Sequence, residues 1–311
     1  MTPHIAIIGA GVSGLRCATV LLENSCNVTM IEARNRVGGR IAQSNQMGPL
    51  EVDIGANWVH RHVHCPIEKD LCANDDSTGY NPIIELAKET GTPLHRWQEN
   101  TLLVDRQGHL VTKLEANKAL NKTWQILEEA LQYSTHGSKD IETTTSLFDF
   151  FKDWCEQALH RGDMTEKEVD LLLDMSHMWG AYVGDRIELQ SLKFFFLEDC
   201  IDGDDCFIPT NYRRIIDHIS ALPLTQANIQ FETAMDTAEV GTGRPRSVCV
   251  TSLDGKVQHF DDVVITTPLG WLKKHKDSIR PLHPRVASAI DSISYGRLEK
   301  VTHLCSGNTM D

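Results

Sequence analysis

Long apolar runs are missing from this chain. No stretch approaches the ~18 residues that a membrane-spanning helix requires, so no membrane partner is expected. The run Ile5-Ala6-Ile7-Ile8 is too short for a secretory signal core and meets a glycine-rich turn at once, so no signal peptide is expected either. Positive charge is also scarce: 30 Lys and Arg stand against 43 Asp and Glu, a formal net charge of −13. A surface that acidic argues against nucleic acid as the main partner and mildly favours cationic ligands. The nine cysteines show no pairing pattern; they are odd in number and scattered. They read as free thiols in a reducing compartment, which points to the cytoplasm.

What is present is a chain long enough for roughly two domains, with a sizeable core. Its 41% hydrophobic and 23% charged content is that of a folded globular protein. His4 to Ile8 reads as a short buried strand, Ser13 to Glu23 as a helix with apolar residues at helical spacing, and Val28 to Glu32 as a second strand. Strand, helix and strand with short links predict a right-handed crossover in a parallel sheet. Further helices are expected at Pro82–Glu89, Leu114–Gln132, Leu147–Leu159 and Glu166–Met178, with linkers at Ser134–Lys139 and Gly162–Thr165. That middle region carries no repeat. From Asn228 the pattern returns to strands: Ser247–Leu253, a turn at Asp254-Gly255, Lys256–Phe260, then Val263–Thr266.

The turn Gly9-Ala10-Gly11-Val12-Ser13-Gly14 follows the first strand and opens the helix. Gly9 permits the tight turn, Gly11 lets backbone approach a pyrophosphate, and Gly14 lets the helix pack on the strand. The helix N-terminus offers free N–H groups and partial positive charge to phosphate. Glu32 closes the second strand, where a carboxylate accepts hydrogen bonds from ribose hydroxyls and repels a 2′-phosphate. The unit is therefore a dinucleotide site. Beyond it, Arg36-Val37-Gly38-Gly39-Arg40 suits a second pyrophosphate contact, with close backbone at the glycines and a fixed cation at Arg40. A nicotinamide site does not need that element, so FAD is the expected cofactor.

At these residues the chain resembles the flavin-containing amine oxidases, whose signature matches Glu32-Ala33-Arg34 and Arg36 to Arg40. Asp53-Ile54-Gly55-Ala56-Asn57-Trp58-Val59-His60 is similar to the family segment beside the flavin ring, Asn81-Pro82-Ile83 to the opening of the substrate-domain helix in polyamine oxidases, and Gly296 to Val301 to the segment ending in Lys-Val. Ser191 to Tyr212 most resembles fungal polyamine-oxidase-like members. The resemblance covers most of the chain from His4 to Val301.

It implies an α/β (overall α+β) fold in which a Rossmann-like FAD-binding domain is interleaved with a helix-rich substrate domain, incomplete at the C-terminus. Residues 1–80 would form the first part of the FAD domain, 81–207 the substrate-binding region, 208–301 the second FAD part and 302–311 a tail outside the family pattern. It implies a reaction in which a neutral amine, a polyamine in this branch, gives a hydride from its α-carbon to flavin N5. The imine is hydrolysed to an aldehyde, and oxygen is reduced to hydrogen peroxide. Gly9, Gly11, Ser13 and Gly14 match the phosphate loop, Glu32 the ribose carboxylate, and Ala33, Arg34, Gly39 and Arg40 the contacts that follow it. Gly55, Ala56, Asn57 and Trp58 match the backbone against the isoalloxazine. Met235 stands where the family places a residue whose backbone meets adenine, usually Val. Lys300 matches a lysine that holds water near N5, and His60 a histidine near the amine.

Other readings of the same residues stay open. Taken by spacing alone, Lys300 is a solvated lysine and His60 a surface histidine at a strand end. His60, His62 and His64 alternate ahead of Cys65 and Cys72, but the spacing fits no standard metal site and none is expected. The acidic run from Glu198 to Asp205 suits a distal ammonium group, although a solvated loop is the commoner meaning of such a run. Arg61 to Tyr80 is an insertion relative to the family, with Arg61 where glycine is usual. The resemblance stops at Thr302, so a truncated product is expected, and with it the alternative of an inactive relative serving as a binding module. A peroxisomal address would belong to a longer form, because Thr309-Met310-Asp311 is not such a signal. A histone demethylase is disfavoured because nothing resembles the helical accessory domains of chromatin members. Nothing in the sequence indicates an oligomeric state.

Overall fold

The computed structural model describes residues 2–46, 48, 50–59, 81–96, 102–198, 205–241 and 247–301. The chain divides into two compact units. The first comprises Met1–Trp97, Asp202–Ser294 and Lys300–Asp311; the second comprises Gln98–Ile201 with Tyr295–Glu299.

The first unit is built on a parallel sheet of β1 (His4–Ile8), β2 (Asn27–Ile31), β8 (Asn228–Gln230) and β12 (Asp262–Ile265), ordered β12-β1-β2-β8. Strand β1 pairs with β2 from His4↔Asn27 to Ile8↔Ile31 and with β12 from Ile5↔Asp262 to Ile8↔Ile265. Its residues Ile5 to Ile8 run apolar without a polar alternate because both faces are covered. On one face Ile7, Val28 and Met30 pack with Leu15 and Ala18 of α1 (Val12–Glu23). On the other, Ala6, Ile8 and Ile31 meet Met235, Ala238, Val250 and Phe260. These last belong to a second sheet, β11-β10-β9-β13, made of β9 (Met235–Val240), β10 (Val248–Ser252), β11 (Val257–Phe260) and β13 (Ile279–Arg280). The β10–β11 hairpin turns at Asp254-Gly255, where Gly255 takes φ 84°. Helices α7 (Leu269–His275) and α8 (Pro284–Ser292) follow and pack on each other.

The helix α6 (Arg213–Gln226), which lies on α1, has no counterpart in the sequence expectation. Its Ile215, Ile216 and Ser220 are buried, yet Arg213, Arg214, Asp217 and His218 interrupt the apolar pattern and Pro223 occupies its last turn. The helix α2 (Pro82–Glu89) begins as expected. Asn81 accepts from the Ile83 N–H at 3.0 Å, and Pro82 stands where no N–H is needed. Residues 81–97 fall in the first unit, although the sequence places them with the helical region. The reason is packing: Ile84 and Ala87 share a core with Val59, Cys206, Ile208, Tyr212 and Ile215. Beside that core, β7 (Cys206–Phe207) joins β5 (Trp58–Val59) to β6 (His95–Arg96), while β3 (Gln43–Ser44) pairs with β4 (Val52–Asp53).

The second unit is helical. Helices α3 (Lys113–Gly137), α4 (Leu147–His160) and α5 (Glu166–Val183) surround a core of Ile126, Ala130, Leu147, Phe151, Leu172 and Ile187. Both α4 and α5 open on reciprocal capping boxes, Ser146 with Asp149 and Thr165 with Glu168. The expected linker at Ser134–Lys139 is instead mostly helix, and α3 runs on to Gly137. Ser134 is fully buried there; its hydroxyl donates to Lys193 O and accepts from Phe196 N–H. A tertiary contact thus holds in helix a stretch whose polar composition suggests a link.

The helical unit yields two expectations. Phe151 is 0% exposed, so Phe151→Ala should cost about 3–5 kcal/mol in denaturant unfolding of that unit. Hydrogen bonds from Lys152 and Ser146 hold Asp149 at about 2, and Lys118 and Thr165 hold Glu168 at about 2. Both carboxyls are depressed on folding, so their stabilisation is complete above the ordinary carboxylate range and is lost as pH falls toward about 2. Acid titration followed by circular dichroism should show that limb, flattened in Asp149→Asn.

Candidate functional site

Two glycine turns meet back to back in the first unit. Gly9, at φ 105°, reverses the chain after β1, and its N–H donates to Ile31 O at 2.9 Å. A β-carbon on Gly14 would lie 2.0 Å from Gly9 O, so α1 packs against the turn only because residue 14 is glycine. The second turn, at Gly38 and Gly39 with φ 94° and 58°, lies alongside. Gly38 N–H donates to Ala10 O at 2.9 Å, Gly11 bridges Gly38, and a β-carbon on Gly39 would lie 3.1 Å from Gly11 Cα. The result is one continuous stretch of bare backbone. Helix α1 starts there with no side-chain cap and no acid in its first turn, so its first N–H groups remain available to an anion.

Glu32 ties the first turn to the segment that follows β2. It is 6% exposed, and its two oxygens accept from Ala10 N–H at 2.7 Å and Arg34 N–H at 2.9 Å. The structure therefore gives this carboxylate a loop-holding role, and its remaining lone pairs are what a ribose would find. Ser13, Ala33, Arg34 and Arg40 are all exposed around the cradle.

Two residues outside the expected set brace this arrangement. Arg36 donates to Gly39 O at 2.9 Å and Val37 O at 3.3 Å, and burial, then repulsion from Arg34, push its guanidinium down. Its signal was an arginine just ahead of a glycine pair. Thr266 donates its hydroxyl to Ile8 O at 2.9 Å and Gly9 O at 3.2 Å. No local pattern marks Thr266, which reaches the turn only through the β1–β12 pairing.

The stretch from Glu51 to Val59 forms the other part of the site. Gly55 crosses Arg40 so closely that a β-carbon would sit 1.8 Å from Arg40 O. Its glycine is required by backbone packing, whatever lies beyond it. Asn57 O accepts from Ile208 N–H at 3.0 Å, and Trp58 O from the Tyr212 hydroxyl at 2.7 Å. Ala56 is exposed. Lys300 reaches this stretch, its ammonium donating to Asp53 O at 3.2 Å and to Gly55 O. Burial pushes the Lys300 ammonium down, and the Asp53 charge opposes that shift. Met235 starts β9 with its side chain 6% exposed, in the core against the sheet. His60 and the insertion 61–80 lie outside the described residues, as do 302–311 and, within the acidic run, 199–204. Among the described residues no group of His, Cys, Asp and Glu forms a metal cluster, and no helix is long and apolar enough to cross a membrane.

The family model of the flavin containing amine oxidoreductases matches residues 12–309. The chain belongs to that family. The match continues past Thr302 through most of the segment that the sequence sets apart as a tail. Lysine-specific histone demethylase 1 homolog 2 of Arabidopsis thaliana is 27% identical over 96% of this chain and 37% of its own length. Polyamine oxidase 3 of Oryza sativa subsp. japonica is 26% identical over 96% of this chain and 59% of its own. Peroxisomal N(1)-acetyl-spermine/spermidine oxidase of Bos taurus is 26% identical over 96% and 60%. The chain spans between 37% and 60% of the length of these relatives.

As a flavin containing amine oxidoreductase the chain takes FAD, and its residues fit the nucleotide. Position 39 has no room for a side chain against Gly11, and the bare backbone there leaves the uncapped N-terminus of α1 open to a pyrophosphate. Glu32→Ala strands the N–H groups of Ala10 and Arg34 and should weaken FAD binding about 10- to 100-fold. Titration of the flavin fluorescence measures it, and Glu32→Gln should lose less.

Proposed function

We propose that this chain supplies the nucleotide-binding unit and helical unit of an enzyme that oxidises a polyamine with FAD and oxygen, giving an aldehyde and hydrogen peroxide. The observation that carries the proposal is Lys300, seated on the carbonyls of Asp53 and Gly55 within the segment that the family resemblance places beside the flavin ring. Bound FAD supplies the two-electron acceptor; the chain supplies binding, orientation and proton handling.

In this reading Gly9, Gly11, Ser13, Gly14, Arg34, Gly39 and Arg40 hold the diphosphate, Glu32 the ribose, and the Met235 backbone the adenine. The backbone of Gly55 to Trp58 lies along the ring. Lys300 keeps two of its three donor directions on carbonyls and offers the third to a water beside the reacting carbon. His60 orients the amine or takes its proton. The net charge of −13 supports a polycationic substrate. Cys17, Cys26, Cys155, Cys206 and Cys249 are unpaired, which supports a reducing compartment such as the cytoplasm.

A second substrate arm has its own support, because relatives named for histone demethylation match this chain as well as those named for polyamines. Both arms are separated by one experiment: load the purified chain with FAD, add spermine, an acetylated polyamine or a methylated histone peptide without oxygen, and follow bleaching of the flavin's visible band. Bleaching by polyamines is expected, slowed at least about tenfold in Lys300→Met. Bleaching by the peptide alone would transfer the proposal to that substrate, and a loaded flavin that no amine bleaches would end it.

A further inference from the structure

Asp53 is a buried carboxylate at the end of β4, 7% exposed, and it meets two other parts of the first unit. Gln43 donates to its Oδ1 at 2.7 Å. The backbone N–H of Tyr212, the residue that precedes α6, donates to Oδ1 and Oδ2 at 3.2 and 3.1 Å. Tyr212 then turns its hydroxyl to Trp58 O. Residues 53 and 58 are thereby both fastened to Tyr212, and the chain between them is clamped at both ends against the start of α6. The two carbonyls that receive the Lys300 ammonium, those of residues 53 and 55, lie on this clamped stretch.

We propose that Asp53 is a positioning residue for Lys300: its carboxylate anchors the backbone that seats the ammonium and sets a negative charge on the same stretch. The proposal rests on the reading of Lys300 as the lysine beside the flavin. The other charges on this stretch are already engaged, since Glu51 pairs with Arg213 at 2.5 Å. The phenol of Tyr212 is pushed up by burial and by Asp53, so it stays neutral and brings no charge. Coupling between Asp53 and Lys300 is reciprocal: burial pushes the Asp53 carboxyl up while Lys300 draws it down, and the Asp53 charge draws Lys300 back up.

The test uses the whole chain with neither flavin nor amine, so its failure is distinct from failure of the oxidase reading. Reductive methylation over a pH series, read lysine by lysine in peptide mass spectra, gives the half-modification pH of Lys300. In Asp53→Asn, which keeps the side chain's shape and one acceptor oxygen, that pH should fall. Lys118, paired with Glu168 in the helical unit, should not move. An unmoved Lys300 in a variant that folds by circular dichroism overturns the proposal. If Asp53→Asn does not fold, Lys300→Met reads the same coupling from the other side, because Lys300 is exposed and its loss leaves the core intact. The Asp53 carboxyl, followed by carbon NMR, should then titrate at higher pH, and an unchanged titration overturns the proposal equally.

Discussion

The site depends on one contact: two glycine turns, 27 residues apart in sequence by their Gly11 and Gly38 members, laid against each other with no side chains between them. Only bare backbone can come that close, and the buried N–H groups of Ala10 and Arg34 beside the contact need an acceptor. Glu32 meets the second need by dividing its oxygens between Ala10 and Arg34. The same carboxylate therefore shapes the cradle and is left at its edge for a ribose. Shape and ligand chemistry are not separate properties of this residue.

Around that contact the unit is braced from outside. Arg36 holds the second turn by its carbonyls, Thr266 holds the first through the β12 pairing, and Gly55 lets the Glu51–Val59 stretch cross the backbone of Arg40. The stretch is in turn fastened by Asp53 and Trp58 to Tyr212. The brace at Arg36 is local, but those at Thr266 and Tyr212 join residues far apart in the chain, so the geometry of the cofactor site is a property of the sheet and α6 together. The helical unit has a core of its own and capped helices of its own.

Much of the local structure was legible because local physics decided it. The strand–turn–helix–strand opening carries its glycines and its closing acid within one short segment. Helices α2, α4 and α5 announce themselves by Asn81-Pro82, Ser146 with Asp149, and Thr165 with Glu168. The hairpin at Asp254-Gly255 is equally local. Helix α6 was not legible, since charged residues break its apolar pattern and Pro223 argues against a helix until the last turn is seen to tolerate it. The continuation of α3 past Ser134 was hidden for a related reason: its buried hydroxyl is satisfied by residues 193 and 196.

By itself the sequence determined the nucleotide-binding unit, its expected cofactor and the family, because glycine spacing and a terminal carboxylate express backbone requirements that hold wherever the chain is placed. The tertiary structure alone decided which residues brace the site. Thr266, Tyr212 and the carboxylate of Asp53 act across separations of more than a hundred residues, and no local pattern encodes a partner that far away. It also decided where Lys300 rests, since a lysine's reach is set by the carbonyls that folding brings to it.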